Sequence, residues 1–260
     1  MLTWMSTSRP KARVFLELDQ DSKIQSFIQW LDPDLHKRTT FVRAGDVVCA
    51  AALWVVVPRE APSPHKFRIP TLVNNLRRHI AKVQPTYEAT STVYVKRLPS
   101  TASHGRLLTD EHSQEVVQTA QSALHRHGMP SEVAIFDGTS DGKTTATFKE
   151  QYQRFNSAIL VFGSHGTAFS NILWMPCEVP AAAIEFVCGA HSLQARGCFK
   201  PNVTGVRFDT YFQLHAGISW VKYFHVLTQS VSDEVSDFMR VDLAGFDQAL
   251  DAALAHVKRK

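Results

Sequence analysis

The sequence predicts an α/β fold, a doubly wound parallel sheet, on three observations. From about residue 90 onward, apolar runs of strand length alternate with segments whose apolar residues recur at helical spacing. One run, Ala158-Ile-Leu-Val-Phe162, leads straight into a tight Gly163-Ser-His-Gly166 loop and a short helical segment. The chain closes on an amphipathic helix preceded by a capping aspartate. Strands separated by helices pair in parallel, because each crossover returns the chain to the same end of the sheet.

The regular half begins with the strand Thr92-Val-Tyr-Val-Lys-Arg97 and a loop holding Pro99 and Gly105. A helix is predicted from about Asp110 to His127. Val116, Val117, Ala120, Ala123, Leu124 and His127 share one face, and Gly128 with Pro130 ends it. Glu132–Phe136 is the second strand, followed by a helix near Thr147 to Phe155 that turns Phe148, Tyr152 and Phe155 inward. Ser157–Phe162 is the third strand. Beyond the glycine loop, Ala168, Ile172 and Met175 recur at helical spacing until Pro176 stops the turn. Ala182–Val187 is the fourth strand. A helical Tyr211–Ala216, a fifth strand at Trp220–Val226 and a closing helix from Asp242 follow. That helix buries Phe246, Leu250, Ala253, Leu254 and Val257.

Residues 1–89 read as a smaller region and linker, and residues 90–260 as the main domain. Ile24, Phe27, Ile28 and Leu31 predict a helix ended by Asp32-Pro33, and Val47–Val57 a buried strand. Pro58 to Pro70 reads as a connecting loop, and Leu72, Leu76 and Ile80 predict a helix near 70–82. This is too little for a complete second α/β domain.

Bulk properties exclude more than they assign. Of 260 residues, 44% are hydrophobic and 20% charged, an ordinary globular composition with enough apolar content for a core. The 28 basic and 24 acidic residues give +4, too weak a balance to argue for nucleic acid. The Val47–Val57 run falls short of the ~20 residues of a spanning helix. Met1 to Arg13 is polar and basic, so no signal peptide or membrane segment is expected. Cys49, Cys177, Cys188 and Cys198 lack zinc-site spacing and leave disulfide pairing open. Asn202-Val-Thr204 is a glycosylation sequon of a kind common by chance, so the compartment stays open.

The glycine loop is the main functional signal. A strand, a glycine turn and a helix N-terminus direct free backbone N–H groups at one spot, which favours an anion such as phosphate. His165 adds a donor that can become cationic. Ligands of open α/β sheets bind beyond the carboxyl ends of the strands. Arg97 ends the first strand, Arg106 lies in its loop and His165 follows the third strand. Each residue has an alternative role. Arg97 can pair with a carboxylate, Gly163 and Gly166 can serve turn geometry, and Asn171 can brace the loop. Glu185 sits between Ile184 and Phe186 on a buried strand, where a carboxylate needs a partner or a ligand.

Two other motifs fail on spacing. Gly138-Thr-Ser-Asp-Gly142-Lys143-Thr144 suggests a phosphate-binding P-loop, yet the required first glycine falls on Asp137. A nucleophile elbow would need glycine where Phe162 stands. The twelve histidines show no pattern of metal ligands.

Tyr94-Val-Lys-Arg97, Arg106-Leu-Leu-Thr-Asp-Glu111, Phe148-Lys-Glu-Gln151, the core Ser157–Pro176 with its Gly-Ser-His165-Gly166 and Asn171, and Ile184-Glu185-Phe186 come in a distinctive order. In that order the chain resembles the C-terminal half of the glycosyltransferase 61 (DUF563) family, over roughly residues 40 to 255. Thr167, Ala168, Phe169 and Ser170 depart from the family's Ala-Gly-Leu-Thr. The resemblance implies a Rossmann-like, GT-B-type donor domain with an incomplete N-terminal, acceptor-side domain. It also implies inverting, metal-independent transfer from a UDP-sugar to a glycan or protein hydroxyl, in the Golgi or endoplasmic reticulum lumen. The absence of a visible signal or anchor keeps the cytoplasm open as the compartment. A silent nucleotide-sugar-binding remnant of the same fold is the alternative. No cofactor is implied beyond the donor itself. The partners are a nucleotide sugar and a glycan or glycoprotein acceptor.

The resemblance assigns Arg106 and His165 to the diphosphate as catalytic groups. Arg97, Ser164, Gly166, Asn171 and Glu185 become donor-binding residues, with Glu185 toward the ribose hydroxyls. Losing one oxyanion donor costs on the order of 3–4 kcal/mol in a transition state. No base is identified among the candidates Asp46, Asp110 and Glu111.

Overall fold

A computed structural model describes residues 13–17, 22–42, 77–78, 80–82, 84–99, 107–188, 220–230 and 238–259. The expected elements at Val47–Val57, Pro58–Pro70 and Tyr211–Ala216 lie outside these residues, as does Arg106. The chain divides into two compact units, Met1–Pro85 and Thr86–Lys260.

In the first unit, β1 (Val14–Glu17) pairs in parallel with β2 (Thr39–Val42). Parallel neighbours need a crossover, and α1 (Ser22–Leu31) with α2 (Pro33–Arg38) provides it. Ile28 and Leu31, one turn apart on α1, are buried. The expected stop at Asp32-Pro33 is also a restart. The Asp32 carboxylate accepts from the Leu35 N–H at 2.9 Å, and Pro33 occupies the first turn of α2, where a missing N–H costs nothing. Neither short strand was expected from the sequence. Residues 77, 78 and 80–82 are helical, with Ile80 buried.

The second unit is built on a six-stranded sheet. Its strands are β3 (Ser91–Val95), β4 (Val133–Phe136), β5 (Ala158–Ser164), β6 (Ala181–Cys188), β7 (Val221–Ser230) and β8 (Met239–Val241). They lie in the order β4-β3-β5-β6-β7-β8. All neighbours are parallel except β8, an antiparallel edge strand beside β7. The all-parallel expectation is therefore corrected at that edge. Three residues are too few to carry a readable alternation, and β8 is placed by its hydrogen bonds to β7 and to Leu107, whose carbonyl accepts from the Met239 N–H at 2.7 Å.

Helices α3 (Asp110–Arg126), α4 (Phe148–Asn156) and α5 (Leu243–Val257) accompany the sheet. Thr109, Thr147 and Asp242 cap them, and Thr147 forms a full capping box with Glu150. Because strand side chains alternate between faces, Leu160 and Phe162 of β5 join Ala182, Ile184 and Phe186 of β6 on one side. There they pack with Tyr94, with Val116, Ala120 and Leu124 of α3, and with Phe246, Leu250 and Leu254 of α5. Phe162 stacks on Tyr94 at 5.3 Å, and Phe186 meets Phe246 edge-on at 5.1 Å. The other face carries a different row, in register across the sheet: Phe136, Val95, Gly163, Glu185 and His225. Phe155 of α4 packs edge-on against Phe136 at 5.2 Å. No helix of the described residues is long and apolar enough to cross a membrane.

The loop after β4 explains why the P-loop spacing fails chemically as well. Asp137 accepts from the Thr139 N–H at 2.9 Å, and Asp141 accepts from the N–H groups of Lys143 and Thr144 at 2.9 and 2.6 Å. Both carboxylates are held below the usual range: at Asp137 burial is the largest single effect and raises the carboxyl, but the bonds from Thr139 together outweigh it, and at Asp141 the Thr144 and Lys143 N–H groups lead. Two carboxylates thus occupy the backbone donors that a phosphate would need.

Candidate functional site

Strand order reverses between β3 and β5. From β3 the chain moves outward to β4 and then returns to the opposite side of β3 as β5. Loops leaving two such strands diverge and open a crevice at their carboxyl ends. Arg97 lies two residues beyond β3, and His165 immediately follows β5. The structure joins them. Arg97 Nη1 donates to the His165 carbonyl at 3.0 Å, and the His165 N–H donates to the Phe186 carbonyl at 3.2 Å.

Two glycines make this approach possible. Gly163 has φ +152°, and a Cβ there would stand 2.3 Å from the Val95 carbonyl oxygen. Any other residue at 163 would push β3 away from β5. At Gly166 a Cβ would stand 2.4 Å from Arg97 Nη1. Its hydrogen therefore makes room for the guanidinium.

Below the loop, the His165 ring is tied to the sheet. Its Nδ1 lies 2.5 Å from Glu185 Oε1, and the Tyr223 hydroxyl donates to Glu185 Oε2. Glu185 is 0% exposed and His165 6%, so both groups are buried. A buried carboxylate is tolerated when both oxygens have donors, and here both do. The sequence foresaw that Glu185 needs a partner but directed it to ribose. The structure commits both oxygens to protein side chains. Tyr223 was outside the expected site, and its only early signal was its place in the expected strand Trp220–Val226. Its pairing with Glu185 follows from β6 and β7 being neighbours, which no local pattern encodes.

After Gly166 the chain forms a 3-10 helix, Thr167–Trp174, where a short helix of α-type spacing was expected. The Phe169 N–H bonds to the Gly166 carbonyl at 2.9 Å and the Met175 N–H to the Ile172 carbonyl at 3.2 Å, both three residues back. Gly166 supplies no side-chain cap, and Pro176 forbids continuation. Asn171 braces this segment. Its Nδ2 donates to Gln151 Oε1 and its Oδ1 accepts from Trp174 Nε1, each at 3.0 Å. Ser164 is placed at the end of β5, 2% exposed, with a hydroxyl that has no hydrogen-bond partner among the described residues.

The remaining candidates separate. Arg106 and Asp46 lie outside the described residues. Asp110 is exposed and bonded to Lys96 Nζ at 2.8 Å, which holds its carboxyl below the usual range. Glu111 is exposed at the start of α3. Cys177 is exposed and its thiol donates to Glu178 Oε1 at 3.1 Å, while Cys49 and Cys198 lie outside the described residues.

No curated protein matches the chain. Among solved structures, two variants of a flavo di-iron protein from Thermotoga maritima align with 70% and 72% of it, at 12% and 10% identity and TM-scores of 0.32. Each alignment spans 39% of the solved chain, and likeness at this level carries no argument about fold or function. A family model described as Glycosyltransferase 61 matches residues 5–180. The match starts earlier than the expected span of 40 to 255 and stops short of Glu185 and Tyr223. It takes in β3, α3, β4, α4, β5 and the glycine loop, and it covers more than half of the sequence. The chain belongs to the glycosyltransferase 61 family.

Proposed function

We propose that the chain is an inverting, metal-independent glycosyltransferase that moves a sugar from a UDP-sugar to a hydroxyl of a glycan or protein. Residues 90–260 serve as a doubly wound, GT-B-type donor domain, and residues 1–89 as a partial acceptor-side region. The observation that carries this reading is the meeting of Arg97 with the His165 loop where the strand order reverses.

In such a transfer the acceptor oxygen attacks the anomeric carbon from the face opposite the nucleotide. The bond from that carbon to the β-phosphate oxygen breaks, and its electron pair leaves with UDP. The acceptor proton passes to a base. Negative charge grows on the diphosphate, so fixed donors aimed there lower the barrier. Arg97 and Arg106 supply guanidinium groups suited to phosphate oxygens. His165 adds a ring whose charge, when present, Glu185 balances. Gly166 admits close approach, and the unpartnered Ser164 hydroxyl is a group that a ligand can satisfy. Asn171 and Glu185 act from behind by fixing Trp174 and His165. The Golgi or endoplasmic reticulum lumen is the proposed compartment.

The test is calorimetric titration with UDP and a panel of UDP-sugars, followed by a turnover assay with and without chelator. Transfer insensitive to chelator, with an inverted anomeric centre seen by NMR, supports the proposal. Binding without hydrolysis or transfer marks the silent remnant instead. A chain that binds no UDP-sugar overturns both.

A further inference from the structure

We infer that Tyr223 is a positioning residue that fixes the ring orientation and tautomer of His165 through Glu185. The inference rests on the proposed function only for its effect on turnover. The hydrogen-bonded relay itself is a feature of the fold.

Three neighbouring strands contribute one group each. His165 leaves β5, Glu185 sits within β6 and Tyr223 within β7. Glu185 is in register with Gly163 on one side and His225 on the other, so Tyr223, two positions before His225, shares its face one diagonal step away. Gly163 offers no side chain on that face, so none from that β5 position fills the space beside the carboxylate. Glu185 is 0% exposed and divides its oxygens: Oε1 to His165 Nδ1 at 2.5 Å, Oε2 to the Tyr223 hydroxyl.

Turning the carboxylate about its last bond breaks one contact or the other. Tyr223 thereby sets the direction in which Oε1 faces, and Oε1 sets the plane of the imidazole. A carboxylate at Nδ1 also selects the tautomer with its proton on that nitrogen, so the neutral ring presents Nε2 as an acceptor. Removing the tyrosine hydroxyl takes from Oε2 the donor that sets its direction, and the carboxylate shifts. The change then reaches His165 without any contact between Tyr223 and a substrate.

The experiment is nitrogen-15 NMR of the histidine rings in the full chain, with His165 assigned by its loss in His165→Gln. Wild type is compared with Tyr223→Phe and with 3-fluorotyrosine installed at 223, which keeps the shape and strengthens the hydroxyl as a donor. The expected result is movement of the His165 ring signals in both variants while the other histidines stay in place. In turnover, Tyr223→Phe lowers kcat by about tenfold to hundredfold, the size of one hydrogen bond to a charged group, with KM held within about twofold. Unmoved His165 signals in the fluorotyrosine protein overturn the inference, whatever the activity and even where the Phe variant does not fold. Moved signals in a chain without transferase activity support the relay and count against the proposed function alone.

Discussion

The guanidinium of Arg97 donates from Nη1 to the His165 carbonyl at 3.0 Å, and it lies where a Cβ on residue 166 would come within 2.4 Å. Gly166→Ala therefore displaces the arginine rather than the backbone, because the clash is with the end of a flexible side chain. The variant should lose at most about 1 kcal/mol of stability while UDP affinity falls by about tenfold or more. Calorimetry on folded protein reads both quantities. Undiminished UDP binding in Gly166→Ala would remove Arg97 from the donor site.

Gly163 presents the opposite case. A Cβ there meets the Val95 backbone oxygen at 2.3 Å, and the φ of +152° is strained for any other residue. Strain and overpacking together should cost Gly163→Ala about 2–5 kcal/mol in urea unfolding. A variant as stable as wild type would mean that β3 and β5 can separate freely at this point.

Asn171 offers a way to tell a brace from a ligand contact. Its amide joins Gln151 to Trp174, so Asn171→Ala leaves the buried Trp174 N–H without its acceptor. The expected loss is about 1–3 kcal/mol, accompanied by weaker UDP binding as the 3-10 helix loosens. Weaker binding at unchanged stability would place the amide on the donor instead.

One pH effect follows from the contact between α3 and α5. Asp251 accepts from His127 Nε2 at 3.0 Å and Arg126 Nη2 at 3.1 Å. The bond from His127 does most to hold its carboxyl below the usual range, with Arg126 adding to it against the cost of partial burial. A folded-state value below the unfolded one stabilises above the ordinary carboxylate range and is lost as pH falls through the lowered value. Asp251 and Arg126 are about half exposed, so the contribution is only ~0.5 kcal/mol after screening. Asp251→Asn should lower Tm slightly at neutral pH, and the difference should vanish in acid as pH falls through the carboxyl's lowered value. A gap that widens in acid would reverse the sign of this coupling.

Much of the second unit was legible because periodicity survives wherever one face is buried. Phe246, Leu250, Ala253, Leu254 and Val257 of α5 are all buried, as their spacing indicated, and Asp242 is the cap. What escaped were features that depend on neighbours far away in sequence. The short strands β1, β2 and β8 draw their identity from pairing, and a few residues leave no pattern of their own. The same limit applies within the site. A carboxylate flanked by Ile184 and Phe186 announces that it needs a partner. Naming Tyr223 as that partner requires knowing that β7 lies beside β6.

The most direct measurement is a calorimetric titration of UDP into wild type and Arg97→Met at matched salt. A nucleotide-diphosphate site at the β3–β5 reversal requires saturable binding to wild type and a loss of at least about tenfold in the variant. Equal affinity in the two proteins, or no heat of binding in wild type, would contradict it.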